Sequence, residues 1–387
     1  MIINFNFKYY NMKRHEKFLK LFCVVLCLLG FACNNSNKRE KENSDIGVEI
    51  VNDVTKTTEY LADSILTTLT LEERVGQCLM PSINSLSDAA TLNKLKKWIE
   101  DYHIGGVVLL KGDISSAKQL AQYGAKVKIP LFVAVDAEWG LGMRLKDAKI
   151  FPKNGQISKD EEESSLFDYG REVAQESQEI GINMVLGPVL DIASISRGVI
   201  GYRSFGDDPE LVADFGVAYA KGIESGGVIS VAKHFPGHGS SYNDSHKEVA
   251  VVSRDLTTMD SIDLKPFREY INSGLTGIMA GHIQVQSLDP SGRIASVSPD
   301  ILTSLLREEM GFEGLIITDA FNMGGAKGFS ATDALKAGAD IILSPDNLEK
   351  EYKDIMDNIR NGDLDISIIN ERCRKVLITK ALFLYHD

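Results

Sequence analysis

Cysteine is scarce in this chain: there are five in 387 residues, and Cys23, Cys27 and Cys33 all fall in or just after one short apolar run near the N-terminus. Only Cys78 and Cys373 remain, with no metal-ligand spacing, which excludes a disulfide framework and leaves open whether these two pair. Positive charge is also in deficit, since 42 Lys and Arg face 54 Asp and Glu for a formal net charge of −12. Residues 1–32 hold five Lys or Arg and one Glu, so the rest of the chain is more acidic still. That balance argues against nucleic acid as a partner, because phosphates call for a basic surface. The N-terminal apolar run, LFCVVLCLLGFA at 21–32, is too short for a comfortable membrane span. No internal repeat of solenoid period is present.

The N-terminus itself reads as an export signal. Lys8, Lys13, Arg14, Lys17 and Lys20 precede the apolar run, giving a basic segment and then a short hydrophobic one. A start at Met12 would give the basic segment a more usual length. The run ends in GFAC, similar to a bacterial lipobox with Gly30 where a leucine-like residue is usual. Residues 1–32 are therefore expected to be a lipoprotein signal peptide, with Cys33 acylated as the mature N-terminus. Cleavage without lipidation is the alternative. Residues 33–57 are polar with little periodicity and read as a tether. The expected location is the bacterial cell envelope, lipid-anchored on the periplasmic or outer-membrane side.

The remainder, 58–387, alternates short apolar runs with amphipathic stretches. Eight runs read as strands, at 78–83, 105–110, 130–138, 182–192, 227–235, 277–285, 314–320 and 339–345. Between them lie helical patterns such as TLNKLKKWIEDY, EESSLFDYGREVAQESQEI, PELVADFGVAYAKGIES and PDILTSLLREEM. Strand and helix in alternation predict an α/β fold with a parallel sheet, and eight doubly buried strands predict a single (β/α)8 TIM-type barrel. An open doubly wound sheet normally has fewer strands. Asp136, Asp191, Lys233, His234, His282 and Asp319 sit where strands end. In a barrel these would share the C-terminal rim, where active sites lie.

One loop concentrates chemistry. KHFPGHGSSYNDSH, 233–246, holds three of the seven histidines together with Lys233 and Asp244. Pro236 and Gly237 forbid the helical i, i+4 histidine pair of a zincin, and no clear third ligand accompanies it, so no metal is assigned. A structural histidine cluster is the other reading. GLGMRL brushes a dinucleotide fingerprint but lacks its third glycine, so no cofactor is assigned.

KHFPGHG followed by Asp-Ser-His resembles the signature of the β-N-acetylglucosaminidase branch of glycoside hydrolase family 3, and the resemblance runs from about residue 58 to 380. It implies His246 as acid/base and Asp244 as the residue that orients and charges it. Imidazole suits the role because it gives and takes protons near neutrality. LIITDAFNM matches the family's nucleophile motif and implies a covalent glycosyl-Asp319 with retention of configuration; taken alone, Asp319 could equally be a helix N-cap. The same resemblance implies Lys233, His234, Asp136, Arg144 and Arg203 as ligands for the sugar, with a salt bridge as the other reading of Arg203. Trp139 stands where the family more often has glycine, and could stack on a sugar face or fill the rim. The implied activity is exo-hydrolysis of terminal β-linked N-acetylglucosamine from oligosaccharides or peptidoglycan fragments. A phosphorolytic enzyme and a non-catalytic sugar-binding lipoprotein are the alternatives.

Overall fold

The computed structural model describes residues 55–385, with 87, 158 and 196–197 set aside. The expected signal peptide, Cys33 and tether residues 33–54 lie outside the described residues. Residues 55–57, also assigned to the tether, are helical and belong to a helix described over 55–68. Ala62 is buried there, with Ile65 and Leu66 packed on the main core at the i+3 and i+4 spacing of an amphipathic helix.

All eight expected strand regions form parallel pairings. The first is divided by Pro81 into β1 (Leu79–Met80) and β2 (Ser82–Ile83). Next come β3 (Gly106–Leu109), β4 (Phe132–Val135), β5 (Met184–Val185) and β6 (Ile229–Phe235). A small β7 (Ala250–Val252) precedes β8 (Gly277–Ala280), β9 (Ile283–Val285), β10 (Leu315–Thr318) and β11 (Ile342–Leu343). One sheet runs β10-β8-β6-β5-β4-β3-β2, and β1 pairs with β11. A parallel bridge between Ile317 and Ile341 ties β10 to the start of the β11 segment, so the pairings return to the first strand.

Alternation along these strands separates two cores. Phe132 and Ala134 on β4, Ile229 and Val231 on β6, and Leu315 and Ile317 on β10 belong to one apolar cluster lining the inside of the ring. Their neighbours Val133, Val135, Ala232 and Ile316 belong to the larger cluster between strands and helices. Side chains of period two produce this division. Continuing the inner register toward the strand ends leads from Ala134 to Asp136, from Val231 to Lys233 and from Ile317 to Asp319. The strand register alone therefore delivers three polar residues to one mouth.

The helices follow their sequence signals. Asp208 accepts from the Glu210 N–H and Pro209 occupies the first turn, starting the helix Pro209–Ser225 where the pattern predicts it. That helix packs closely on Glu163–Ile180 through glycines: a Cβ on Gly170 would lie 2.1 Å from Tyr219 O, and one on Gly222 2.1 Å from Phe167 O. Two features depart from the expectation. The apolar run 277–285 is broken at Gly281 and His282, so β9 leaves the ring and pairs in parallel with β7. The helix Asp300–Glu309 is wound as a π-helix, closed by Met310 N–H to Leu305 O at 2.8 Å.

Cys78 and Cys373 are both free and buried. Beside them the helix Ile366–Phe383 buries Lys380 completely, its Nζ donating to Gln77 Oε1 at 2.6 Å and lying 5.0 Å from the Phe132 ring centroid. Burial pulls the Lys380 ammonium down to about 7. Between that value and an unfolded lysine near ~10.4, the unfolded chain holds a proton the folded one has released, so stability rises with pH. The thiols act in the opposite sense: burial raises Cys78 well above its ordinary value and Cys373 to about 12. The folded chain therefore keeps thiol protons that unfolded cysteines lose above about 8.5. Lys380→Met should flatten the rise of melting temperature between about pH 7 and 8.5, a window in which one proton contributes at most ~1.4 kcal/mol per pH unit. Thermal unfolding at several pH values checks this; an unchanged slope would locate the proton elsewhere.

Candidate active site

Lys233, at the mouth end of β6, lies between two carboxylates. Its Nζ is 2.7 Å from Asp136 Oδ1 and 2.9 Å from Glu138 Oε1. Arg144 Nη2 reaches the other Asp136 oxygen at 2.5 Å. Arg203 grips Glu138 with two parallel bonds, Nε to Oε2 at 3.0 Å and Nη2 to Oε1 at 2.6 Å. The five groups thus form a row of alternating sign, Arg144, Asp136, Lys233, Glu138, Arg203, with one net positive charge. Burial alone would raise the Asp136 carboxyl, but Lys233 and Arg144 outweigh it and hold it well below the usual range. Glu138 follows the same balance, burial opposed by Lys233 and Arg203, and falls to about 2. Burial likewise lowers Lys233, yet Asp136 and Glu138 keep its ammonium above the ordinary value.

His234 is held from behind. Its Nδ1 lies 2.7 Å from Asp191 Oδ2, and its main-chain N–H donates to the same oxygen at 3.2 Å. The other oxygen of Asp191 accepts from the His238 N–H at 2.7 Å. With Nδ1 directed at Asp191, His234 turns Nε2 toward Arg203 Nη2 at 3.4 Å. Five of the expected sugar ligands (Asp136, Arg144, Arg203, Lys233 and His234) are therefore in one connected cluster.

Asp319 is 9% exposed at the end of β10. Its N–H donates to Ala280 O at 2.8 Å, and its Oδ1 accepts from the Ala320 N–H at 2.8 Å. No helix starts there: the next α-helix is Ala331–Ala337, and Ser330 caps it. The N-cap reading therefore does not apply. His282 braces this turn, with Nε2 3.0 Å from Ala320 O and Nδ1 2.8 Å from Ser296 Oγ. Burial raises the Asp319 carboxyl, but His234, His282, the Ala320 N–H and Lys233 outweigh it, and its pKa ends below the ordinary value. It is a carboxylate at neutral pH, aimed into the mouth and free of any ion pair among the described residues.

Asp244 and His246 lie on the loop that follows β6. Asp244 Oδ1 is 3.0 Å from His246 Nδ1 and accepts the His246 N–H at 3.0 Å. The His246 side chain is 62% exposed, far more open than Asp319. Main-chain bonds connect the loop to the segment after Asp319, with Gly324 N–H to His246 O and Gly325 N–H to Ser245 O, both 3.0 Å.

Three participants were not assigned a role from sequence. Glu138 lies two residues beyond Asp136 in the same register, a parity that would have placed it in the mouth. Asp191 reaches His234 across 43 residues, and His282 reaches Ala320 across 38, with no local signal for either contact. The salt bridge left open for Arg203 exists, with Glu138 as its partner, while Nη1 stays outside that pair. Trp139 is half-buried at 6.1 Å from Tyr202, and Lys153 Nζ stands over both rings at 5.8 and 4.4 Å. Among the described residues no group of three or more His, Cys, Asp or Glu is arranged to hold a metal ion.

Comparison with known proteins accords with this geometry. Residues 70–379 match the glycosyl hydrolase family 3 N terminal domain. A beta-hexosaminidase of Nitrosomonas eutropha is 35% identical over 266 residues, covering 64% of this chain and 76% of that protein. Beta-hexosaminidase A of Pseudoalteromonas piscicida is 32% identical over 309 residues, covering 70% of this chain and 50% of that protein. Among solved structures, a glycoside hydrolase family 3 beta-N-acetylglucosaminidase from Paenibacillus sp. str. FPU-7 superposes with TM-score 0.75 at 28% identity, covering 81% of this chain. The match spans 63% of that Paenibacillus chain, so this chain corresponds to under two thirds of it. M tuberculosis LpqI superposes with TM-score 0.72 at 27% identity, over 81% of this chain and 95% of that one. With a family match over most of its length, a parallel α/β fold and charged residues gathered at one mouth, the chain belongs to glycosyl hydrolase family 3.

Proposed function

We propose that this chain is a retaining exo-glycosidase that removes terminal, non-reducing β-linked N-acetylglucosamine, working on a (β/α)8 barrel formed by the ring of parallel strands. The observation that carries the reading is Asp319: a buried carboxyl held below the ordinary carboxylate value, with no ion pair among the described residues, at the same mouth as a charge row with positive excess. In the first step an Asp319 oxygen attacks the anomeric carbon, while His246 as imidazolium gives its proton to the departing glycosidic oxygen. In the second step neutral His246 takes a proton from water as that water attacks the glycosyl-enzyme, and Asp319 leaves as carboxylate. Asp244, at 3.0 Å from Nδ1, directs the opposite ring nitrogen outward. Lys233, His234, Asp136, Arg144 and Arg203 supply fixed donors and acceptors for the hydroxyls and the N-acetyl group. Because these groups already satisfy one another, they need little reorganisation when a sugar arrives.

The β-hexosaminidase names of the relatives support the sugar assignment, and oligosaccharides or peptidoglycan fragments ending in β-linked N-acetylglucosamine fit as substrates. The basic segment, apolar run and Cys33 support an exported, lipid-anchored protein of the bacterial envelope. On this reading Cys33→Ser should move the protein from the membrane fraction to the soluble one. Mass analysis of the mature N-terminus checks the anchor, and an unmodified N-terminal peptide from the wild type would overturn it.

Aryl β-N-acetylglucosaminide should be cleaved much faster than aryl β-glucoside, with net retention by NMR and a rate unaffected by inorganic phosphate. Equal rates on the two sugars, inversion, or a sugar phosphate product would overturn the assignment.

Substitutions separate the two catalytic roles. Asp319→Ala should abolish turnover of every substrate. His246→Gly should lose about 10²–10⁴-fold in turnover when the leaving group needs a proton. With a dinitrophenyl leaving group it should instead show a burst of about one phenol per enzyme, then slow turnover that azide restores. Rapid-mixing assays check this. A missing burst, or wild-type turnover, would remove His246 from the acid/base role.

A further inference from the structure

The acid/base pair sits on either side of one deeply buried residue. Asp244 and His246 are open to solvent, with side-chain exposures of 30% and 62%, whereas Ser245 between them is 2% exposed. Its hydroxyl lies 2.9 Å from His238 Nε2, inside the protein. His238 is itself buried, and its main chain is fixed by the 2.7 Å bond from its N–H to Asp191 Oδ1. The second oxygen of Asp191 holds His234, and the His234 and His238 rings meet edge to face at 5.9 Å. On the opposite side the Ser245 carbonyl accepts the Gly325 N–H at 3.0 Å. Only glycine allows that approach: a Cβ on Gly325 would lie 2.9 Å from Ser245 O and 3.0 Å from His282 Cβ.

We propose that His238 and Ser245 form an internal latch, a pair of positioning residues that hold the Asp244–His246 pair over the mouth. The latch touches neither substrate nor the reacting atoms. It acts through the chain, because Ser245 is covalently joined to both members of the pair, and pinning it fixes the direction in which Asp244 and His246 emerge. Asp191 gives the latch its register relative to the sugar site, since one carboxylate orients His234 through one oxygen and His238 through the other. A proton donor must stand within hydrogen-bond reach of the glycosidic oxygen, and small displacements there are costly. A loop anchored only at its ends would not hold the imidazole to that tolerance. The latch also accounts for the burial of a second histidine in the 233–246 loop whose ring is used neither for the sugar nor for the proton.

This inference rests on His246 being the acid/base, and the experiment is built so that the two readings fail separately. Four variants are compared with wild type: Ser245→Ala, Ser245→Thr, His238→Gln and His246→Gly. The substrates are chitobiose, whose leaving group needs a proton, and 2,4-dinitrophenyl β-N-acetylglucosaminide, whose leaving group does not. Ser245→Ala should lose about tenfold or more in kcat on chitobiose with little change in KM, a milder form of the loss expected when acid/base catalysis is removed. It should release the first equivalent of dinitrophenol at nearly the wild-type rate, and azide should accelerate its steady state. Ser245→Thr keeps the hydroxyl, and His238→Gln keeps a polar partner of similar reach, so both should recover most of the chitobiose activity. Melting temperatures within a few degrees of wild type would separate positioning from unfolding.

If His246→Gly gives the burst and the azide response while Ser245→Ala behaves as wild type on both substrates, the latch is wrong and the acid/base assignment stands. If Ser245→Ala loses chitobiose and dinitrophenyl activity equally and is insensitive to azide, its role is structural and the latch is again overturned. If His246→Gly lacks the burst, both readings fall together.

Discussion

Lys233 is the charge around which the mouth is organised. The residue is 2% exposed, and taking an isolated ion that far from water costs several kcal/mol. The cost is offset because Asp136 and Glu138 lie at 2.7 and 2.9 Å, each in turn held by an arginine. No member of the row is independent. Removing Lys233 would leave two carboxylates facing each other across a buried space, and removing Glu138 would release Arg203 from its fork. The row therefore fixes the positions of five side chains drawn from three chain segments. It also leaves one positive charge uncompensated within the row, in a region of low dielectric beside Asp319. Burial raises the Asp319 carboxyl, and Lys233 is one of the groups, after His234, His282 and the Ala320 N–H, that bring it below the ordinary value with no ion pair of its own among the described residues.

The same site shows how much of a protein like this can be read from its sequence. Strand parity was legible: Phe132, Ala134 and Asp136 follow one another on one face, as do Ile229, Val231 and Lys233, and Leu315, Ile317 and Asp319. A polar residue at the end of such a series is out of place in a core and in place at a mouth, so the strand pattern and the anomaly point the same way. The Asp-Ser-His run was legible through its resemblance to a family signature, and the interaction it carries is local, spanning two residues. Contacts that cross from one strand to another left no trace in any window of sequence. Asp191 was visible as a polar residue at a strand end, but its grip on His234 and His238 spans 43 and 47 residues. The departure of β9 from the ring was equally hidden, because the run 277–285 is apolar on both sides of its break. What decides that break is tertiary: Ala280 O must receive the Asp319 N–H, and Gly281 N–H must reach Phe235 O.

The two catalytic candidates are built to different standards of rigidity. Asp319 is held by a strand, by its own main-chain bond to β8, and by His282 bracing the following carbonyl. Its main chain lies in packed surroundings, and packed surroundings open only with much of the fold. The Asp244–His246 pair stands on a loop, exposed, with few apolar contacts of its own. Regions of that kind open at low free energy. A nucleophile must meet one carbon on one trajectory. A proton donor serves two steps, first to the leaving oxygen and then from water, and the buried Ser245 between Asp244 and His246 ties the exposed pair to the protein interior.

That difference explains why histidine and aspartate suit the loop. An acid/base group that depended on strand-to-strand charges, as Glu138 and Lys233 depend on each other, could not leave the mouth without breaking them. Asp244 and His246 carry their interaction with them. The carboxylate bonds both the ring nitrogen and the main-chain N–H of a residue two positions on, so the pair is assembled within three consecutive residues. Buried ion pairs hold one wall of the mouth, and in the proposed mechanism a self-contained dyad carries the proton chemistry. Between them the fold has only to hold the loop in place. The main-chain bonds from Gly324 and Gly325 contribute to this from the Asp319 side, so the segment that follows the proposed nucleophile also carries the seat of the proposed proton donor.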